Sequence, residues 1–313
     1  MTRTLVVGLG SIGSRHARVL AELGCDVAAV SARAHAALAT YPTIEAALRD
    51  FEASYVVIAS ETHAHRRDLG ALAALGFSGT VLVEKPLFAD AAAALPEGLD
   101  AEQVFVGYDL RFHPLLVEVE RLLDDLAPRA AHLAVGQHLP GWRPERDYRA
   151  VYSASRARGG GVLRDLSHEL DVACWLFGAP RRLTARGGHH SALQIDSDDS
   201  YALLIEHERC PLVTVQLDYL DHQPRRTLRV LADETTIAVD LVGGELAVYR
   251  DGVRTHAQRV ALAPDDVYIA EHRALLGAAD DERLPCSAAD ALRVMRVIGA
   301  AERAAVEATW VAL

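Results

Sequence analysis

Among 313 residues, Lys85 is the only lysine, set against 31 arginines. A guanidinium cannot usefully lose its proton, whereas an ammonium changes pKa when desolvated, so an amine kept in an arginine-using chain is a candidate chemical group. Lys85 follows the β-branched run Thr80-Val81-Leu82-Val83 and precedes Pro86, which stops the strand. That predicts a place at the carboxyl end of a sheet strand, the edge where open α/β sheets bind ligands. A second constellation lies further on. Gly159-Gly160-Gly161 enters a predicted helix over Leu163 to Phe177, with Asp165, His168 and Asp171 at intervals of three. This spacing predicts one helical face with two carboxylates and an imidazole, an acid/base group with charged orienters. The plainer alternative is a solvated face, with Asp165 as a cap and His168 in the core.

Gly8-Leu9-Gly10-Ser11-Ile12-Gly13 is a GxGxxG run between a predicted strand and helix. Gly8 allows the tight turn, Gly10 lets a pyrophosphate approach, and Gly13 lets the helix pack closely, while the helix N-terminus offers amides to the phosphates. The alternative is a merely structural glycine turn. The second strand, Val27 to Val30, ends in Ser31-Ala32-Arg33, with Asp26 at its opposite end. Without a carboxylate there to grip the ribose hydroxyls, Ser31 and Arg33, with Arg15, favour NADP over NAD. Arg33 could equally be a solvated helix-start residue.

The loop holding Trp142, Arg143, Asp147, Tyr148, Arg149 and Tyr152 offers aromatic rings for a glycan and cations for a carboxylate or phosphate. Its alternative role is an oligomer interface. Tyr108, Arg111 and His113 either line the same cleft or pack a domain junction. His63 and His65 form an HxH pair with no third ligand in sight, so no metal site is expected.

These groups need a scaffold. Alternating strands and helices over the first hundred residues predict a parallel sheet with right-handed crossovers. Beyond residue 110 the pattern changes. Helices near Pro114 to Leu126 and Leu163 to Phe177 precede alternating segments from Arg182 to Arg250, expected to form an antiparallel sheet with one covered face. Helices over Asp265 to Leu276 and Ala288 to Ala305 and a short final strand close the chain. Two domains follow, residues 1–110 and 111–313, with the last helix able to return to the first. A net charge of −11 without a basic tract argues against nucleic acid or anionic membrane as partner. Four scattered cysteines, no signal-like leader and no long apolar segment predict a cytoplasmic protein.

The order GLGSIG, Glu84-Lys85-Pro86, then the triple glycine with Asp165, His168 and Asp171, resembles the Gfo/Idh/MocA family of sugar and cyclitol oxidoreductases. Further matches are Ser60, Thr62 and His65 after the third strand, and the run Gly107 to Pro114. The resemblance covers essentially the whole chain. It implies an α/β protein with an N-terminal Rossmann domain and a C-terminal α/β domain whose open, mostly antiparallel sheet joins dimers or tetramers. It adds Ser60, Thr62, His65 and Glu84 to the cofactor residues and implies a cis Lys85-Pro86 bond. Lys85, Asp165 and His168 fall on its catalytic lysine, aspartate and histidine, and Asp171 on its trailing aspartate. The family often spaces aspartate and histidine four apart; here they are three apart. Tyr108, Arg111, Trp142, Arg143 and Tyr148 complete the substrate candidates. The loop near Trp142 and the stretch Ser167 to Gly178 resemble a branch found with nonulosonic-acid and other nucleotide-sugar pathways.

The expected reaction is hydride transfer between NAD(P)(H) and a secondary alcohol or ketone of a sugar-like substrate. His168 would take the hydroxyl proton, Lys85 would hold the oxygen, and Asp165 would orient Lys85 or substrate. The rivals are a cofactor-bound sensor without turnover and an enzyme passing hydride between two sugars on a retained cofactor.

Overall fold

The computed structural model describes residues 1–32, 34–279, 283 and 285–313. Met1–Phe112 builds β1 (Arg3–Val7), α1 (Ser11–Glu22), β2 (Asp26–Val30), β3 (Ala39–Tyr41), α2 (Ile44–Phe51), β4 (Tyr55–Ile58), α3 (His65–Ala74), β5 (Thr80–Val83) and β6 (Val104–Val106). The boundaries have local causes. The Thr43 hydroxyl caps α2 by accepting from the Ala46 amide, and α3 runs out before Gly76, which sits at φ +65°. β3 escapes sequence reading because three residues carry no alternation. The link from β5 to β6 has no α-helix, although the segment is rich in alanine; Pro86, Pro96 and Gly98 interrupt it.

The chain continues through α4 (Pro114–Leu123), β7 (Ala130–Gly136), α5 (Val162–Asp165), α6 (His168–Phe177), β8 (Pro180–Gly188), β9 (Ser200–His207), β10 (Val213–Asp218), β11 (Arg225–Leu231), β12 (Thr235–Asp240), β13 (Glu245–Arg250) and β14 (Val253–Arg259). It ends with α7 (Asp266–Leu275), β15 (Cys286–Ser287), α8 (Ala288–Glu307) and β16 (Val311–Ala312).

Two compact units result. One comprises Met1–Phe112 and Ala263–Leu292, the other His113–Leu262 and Arg293–Leu313. In the first, the sheet order is β15-β6-β5-β4-β1-β2-β3. Every neighbouring pair is parallel except β15 with β6, where the returning segment lies antiparallel along the edge. One core layer joins Val6, Val57 and Leu82 of this sheet to Ala17 and Leu20 of α1.

In the second unit the order is β14-β13-β12-β11-β7-β10-β9-β8-β16. Only β7 and β10 run parallel; the other neighbours are antiparallel. One face is closed by Leu133, Val135, Val215, Leu217, Leu203 and Ile205, while Ala134, Gln216 and Leu204 between them are partly or fully exposed. A Rossmann unit and a mostly antiparallel second sheet are what the resemblance implies.

Candidate active site

At the carboxyl edge of the first sheet, β1 ends in the glycine turn. Gly8 has φ +95°, and a Cβ there would stand 2.9 Å from the Ala59 carbonyl oxygen and the Ser60 nitrogen. At Gly13 a Cβ would lie 1.8 Å from the Gly8 carbonyl oxygen, so only glycine lets α1 start this close to the strand. Gly10 differs, because a Cβ there would meet nothing within 4 Å. Its open space faces a helix whose start, at Ser11 and Ile12, carries no side-chain cap. Uncapped first-turn amides beside a glycine form a cradle for a pyrophosphate, and these residues fit a dinucleotide.

A cleft of about 830 Å³ continues from this cradle between Gly8, Ser31, Pro42, Thr43 and Ser60. Ser31 follows β2 directly, Asp26 begins that strand at the other end, and Arg33 lies outside the described residues. The cleft also holds two residues that sequence reasoning missed. Asp68, buried on α3, accepts from the Ser60 hydroxyl at 2.7 Å and from Arg67 at 2.8 Å, so Ser60 is held by a carboxylate eight residues on. A helix-face Asp gives no such signal in sequence.

Lys85 is half-buried just beyond β5, and the Lys85-Pro86 bond is cis. The residues grouped with it as cofactor contacts face inward. Glu84 is buried and bonds His16 Nε2 through Oε1 at 2.8 Å. Burial alone would push its carboxyl up, but His16, Lys85 and His65 outweigh that and hold it below its ordinary range. His65 is buried, its Nδ1 3.2 Å from the Pro86 and Leu87 carbonyls and its Nε2 3.0 Å from the Ser60 carbonyl. The ring braces the two loops that flank Lys85, and burial pushes its pKa down. Thr62 is buried in the short 3₁₀ turn before α3, and His63 on the same turn is exposed, so the HxH pair diverges. Tyr108 is fully buried, and Arg111 is ion-paired with Asp290 at 3.2 Å.

In the second unit the expected single helix is interrupted. α5 ends at Asp165, Leu166 and Ser167 break it, and α6 begins at His168. Asp165, His168 and Asp171 therefore do not share one continuous helical face. Asp165 is buried and its Oδ2 accepts from the Tyr219 hydroxyl at 2.5 Å. His168 is half-buried, whereas Asp171 is fully buried. Asp198 scaffolds the glycine loop. Its Oδ2 accepts from the Leu163 amide at 3.1 Å, and a Cβ on Gly161 would come within 2.4 Å of its Oδ1. Within Asp196-Ser197-Asp198-Asp199, which reads as an exposed acidic run, Asp196 accepts from the Arg156 amide and Asp199 from His190 and Ser191.

Four substrate candidates come together. Trp142, Arg143, Tyr148 and Tyr152 line one pocket with Leu139, Val151 and Ser153. Trp142 donates from Nε1 to the Gln137 carbonyl and meets Tyr219 edge-on at 5.2 Å. Asp147 and Arg149 pair with each other on the exposed side, which holds the Asp147 carboxyl at about 2. His113 caps α4, accepting from the Leu115 amide.

Residues 2–103 match the model of an oxidoreductase family with an NAD-binding Rossmann fold, and residues 128–238 that of the GFO/IDH/MocA C-terminal domain. No curated protein matches the chain. UDP-N-acetylglucosamine 3-dehydrogenase GnnA from Acidithiobacillus ferrooxidans is 21% identical, with 96% of this chain and 97% of that one covered at a TM-score of 0.75. A levoglucosan dehydrogenase in complex with NADH is 17% identical, covering 99% and 98% at 0.84. The WlbA dehydrogenase from Bordetella pertussis, bound to NADH and UDP-GlcNAcA, is 16% identical, covering 100% and 97% at 0.78. At these identities the likeness is one of fold.

Proposed function

The chain belongs to the Gfo/Idh/MocA family of NAD-binding oxidoreductases, and on that premise we propose that it interconverts a secondary alcohol and a ketone on a sugar or nucleotide sugar. The observation that carries this reading is the open cradle at Gly10, with uncapped α1 amides and a cleft running on to Ser31. A nicotinamide dinucleotide held there supplies the hydride acceptor or donor. Gly8, Gly10, Ser11, Ile12 and Gly13 bind its phosphates.

In the oxidation direction His168 takes the hydroxyl proton. Lys85 hydrogen-bonds the same oxygen and balances its developing charge, and Asp165, held by Tyr219, orients the substrate. The pocket of Trp142, Arg143, Tyr148 and Tyr152 recognises the sugar and any anionic group it carries. The favoured dinucleotide is NADP(H), because β2 gives way to Ser31 and Ala32 with no carboxylate, and Arg33 follows in sequence. The half-exposed face of the nine-stranded sheet, polar at His132, Thr214 and Arg229, is the surface through which copies assemble as dimers or tetramers. Four buried cysteines, none of them in a disulfide, accord with a cytoplasmic setting.

The test is a thermal-shift titration with NADP+, NADPH, NAD+ and NADH, after checking for retained nicotinamide. A ligand at about 100 times its Kd stabilises by ~2.7 kcal/mol, which shifts the melting temperature by several degrees or less in a protein this size. Stabilisation by the phosphorylated pair supports the whole reading. Stabilisation by NAD and NADH alone overturns the NADP preference, and no stabilisation by any of the four overturns the enzyme reading.

A further inference from the structure

Four side chains from separate elements of the first unit share one buried line of hydrogen bonds. His16 on α1 sets Nε2 2.8 Å from Oε1 of Glu84 and Nδ1 2.8 Å from Nε2 of His272 on α7. His272 turns Nδ1 to the hydroxyl of Tyr55 on β4, again at 2.8 Å. Both histidines are fully buried, and Tyr55 and Glu84 nearly so.

With Glu84 ionised and His16 neutral, the protons of this line take one order. An ionised carboxylate only accepts, so Glu84 takes a hydrogen bond from His16 Nε2–H. The bare Nδ1 of His16 then accepts from His272 Nε2–H, and the bare Nδ1 of His272 accepts from the Tyr55 hydroxyl. Each of the three bonds has one donor and one acceptor, with both rings neutral and every donor directed toward Glu84. Burial holds His272 well below its ordinary pKa and pushes the Tyr55 hydroxyl well above its own, which accords with that order.

The line stops where the chemistry begins. The other oxygen of Glu84, Oε2, accepts from the backbone amide of Lys85 at 3.1 Å. Glu84 is the first residue beyond β5, so its carboxylate fixes the backbone from which the only lysine departs. We propose that His16 and His272 are positioning residues for Lys85, acting through the Glu84 carboxylate. A buried carboxylate with two imidazoles and a phenol would be costly if partly satisfied, whereas a complete network fixes one orientation where apolar filling would leave several. His272 belongs to the segment that returns to this unit late in the chain, so α7 completes the loop that carries Lys85. This inference rests on the reading of Lys85 as catalytic.

Two measurements test it. Long-range proton–nitrogen correlation spectra of the cofactor-free protein, labelled at histidine nitrogen and held near neutral pH, should show His16 and His272 as neutral Nε2–H tautomers. An imidazolium or an Nδ1–H tautomer at either overturns the inference. The second measurement is turnover of His272→Leu, His272→Gln, Lys85→Ala and the Lys85→Ala/His272→Leu double variant. His272→Leu should lower kcat about tenfold with dinucleotide Kd within a few fold, and His272→Gln, whose amide can still donate to His16, should restore most of it. In the Lys85→Ala background His272→Leu should cost nothing more. Wild-type kcat in His272→Leu beside a slow Lys85→Ala defeats the positioning role alone. Near-normal turnover in Lys85→Ala defeats the catalytic reading and this inference with it.

Discussion

The Tyr219 hydroxyl donates to Oδ2 of Asp165 at 2.5 Å, with both side chains buried. Burial first, and then the neighbouring carboxylate, push the phenol far above its ordinary pKa, so it stays a donor at any working pH. Trp142 stands edge-on to the same ring, which links the pocket it lines to Asp165 through one tyrosine.

Tyr219→Phe should therefore report on Asp165 without removing it. A hydrogen bond to a charged group is worth about 1.5–3 kcal/mol. Urea unfolding should show a loss of that order, and kcat should fall about tenfold or more with dinucleotide affinity unchanged. Unaltered kcat would mean that Asp165 needs no orienting by Tyr219.

Trp142→Ala should separate recognition from chemistry. Loss of a stacking ring costs about 0.5–1.5 kcal/mol beyond buried area, so KM for the sugar should rise up to roughly tenfold while kcat holds. A fall in kcat at constant KM would instead place Trp142 in the support of Asp165.

Gly13→Ala should fail sterically. The added Cβ would meet the Gly8 carbonyl oxygen, a backbone atom that cannot move without opening the turn. Overpacking of this kind costs about 1–3 kcal/mol, and dinucleotide binding should weaken by more than stability suggests. Gly10→Ala is the control, because its Cβ meets no protein atom and any loss of binding reports the dinucleotide alone.

These effects sort into what a local pattern reveals and what only packing reveals. The glycine turn and the strand before Lys85 are written in adjacent residues, and their elements lie where that reading puts them. The break at Leu166 and Ser167 carries no Pro or Gly, so periodicity runs straight through it and places Asp165 and His168 on one helix. Asp198 and Tyr219 find partners far along the chain, and His16 and His272 lie 256 residues apart. An acidic run on a loop reads as solvated until its carboxylates are seen capping amides.

Stability should fall with pH in two windows. Burial depresses the pKa of His272 far below 6.5, so the unfolded chain binds a proton there that the folded one does not. Its contribution is complete above about 6.5 and declines as pH falls below that value, with a slope of up to about 1.4 kcal/mol per pH unit for one such group. His65 and His207, also depressed by burial, act in the same direction. Glu84, held below its ordinary range, adds a separate loss that begins only near 4.5 and continues as pH falls through its folded pKa. Urea unfolding from pH 7.5 to 5 should show the first window, and His272→Gln should flatten it. An unchanged slope in that variant would show that His272 titrates alike in the folded and unfolded chain.

Most direct of all is single-turnover formation of reduced nicotinamide by wild type and Lys85→Ala, each saturated with oxidised dinucleotide and a sugar or nucleotide sugar that the wild type oxidises. Loss of one such group slows the step about 10²–10⁴-fold. The account predicts a fall of that size in Lys85→Ala with dinucleotide Kd within a few fold of wild type. A Lys85→Ala protein that transfers hydride at close to the wild-type rate would contradict it.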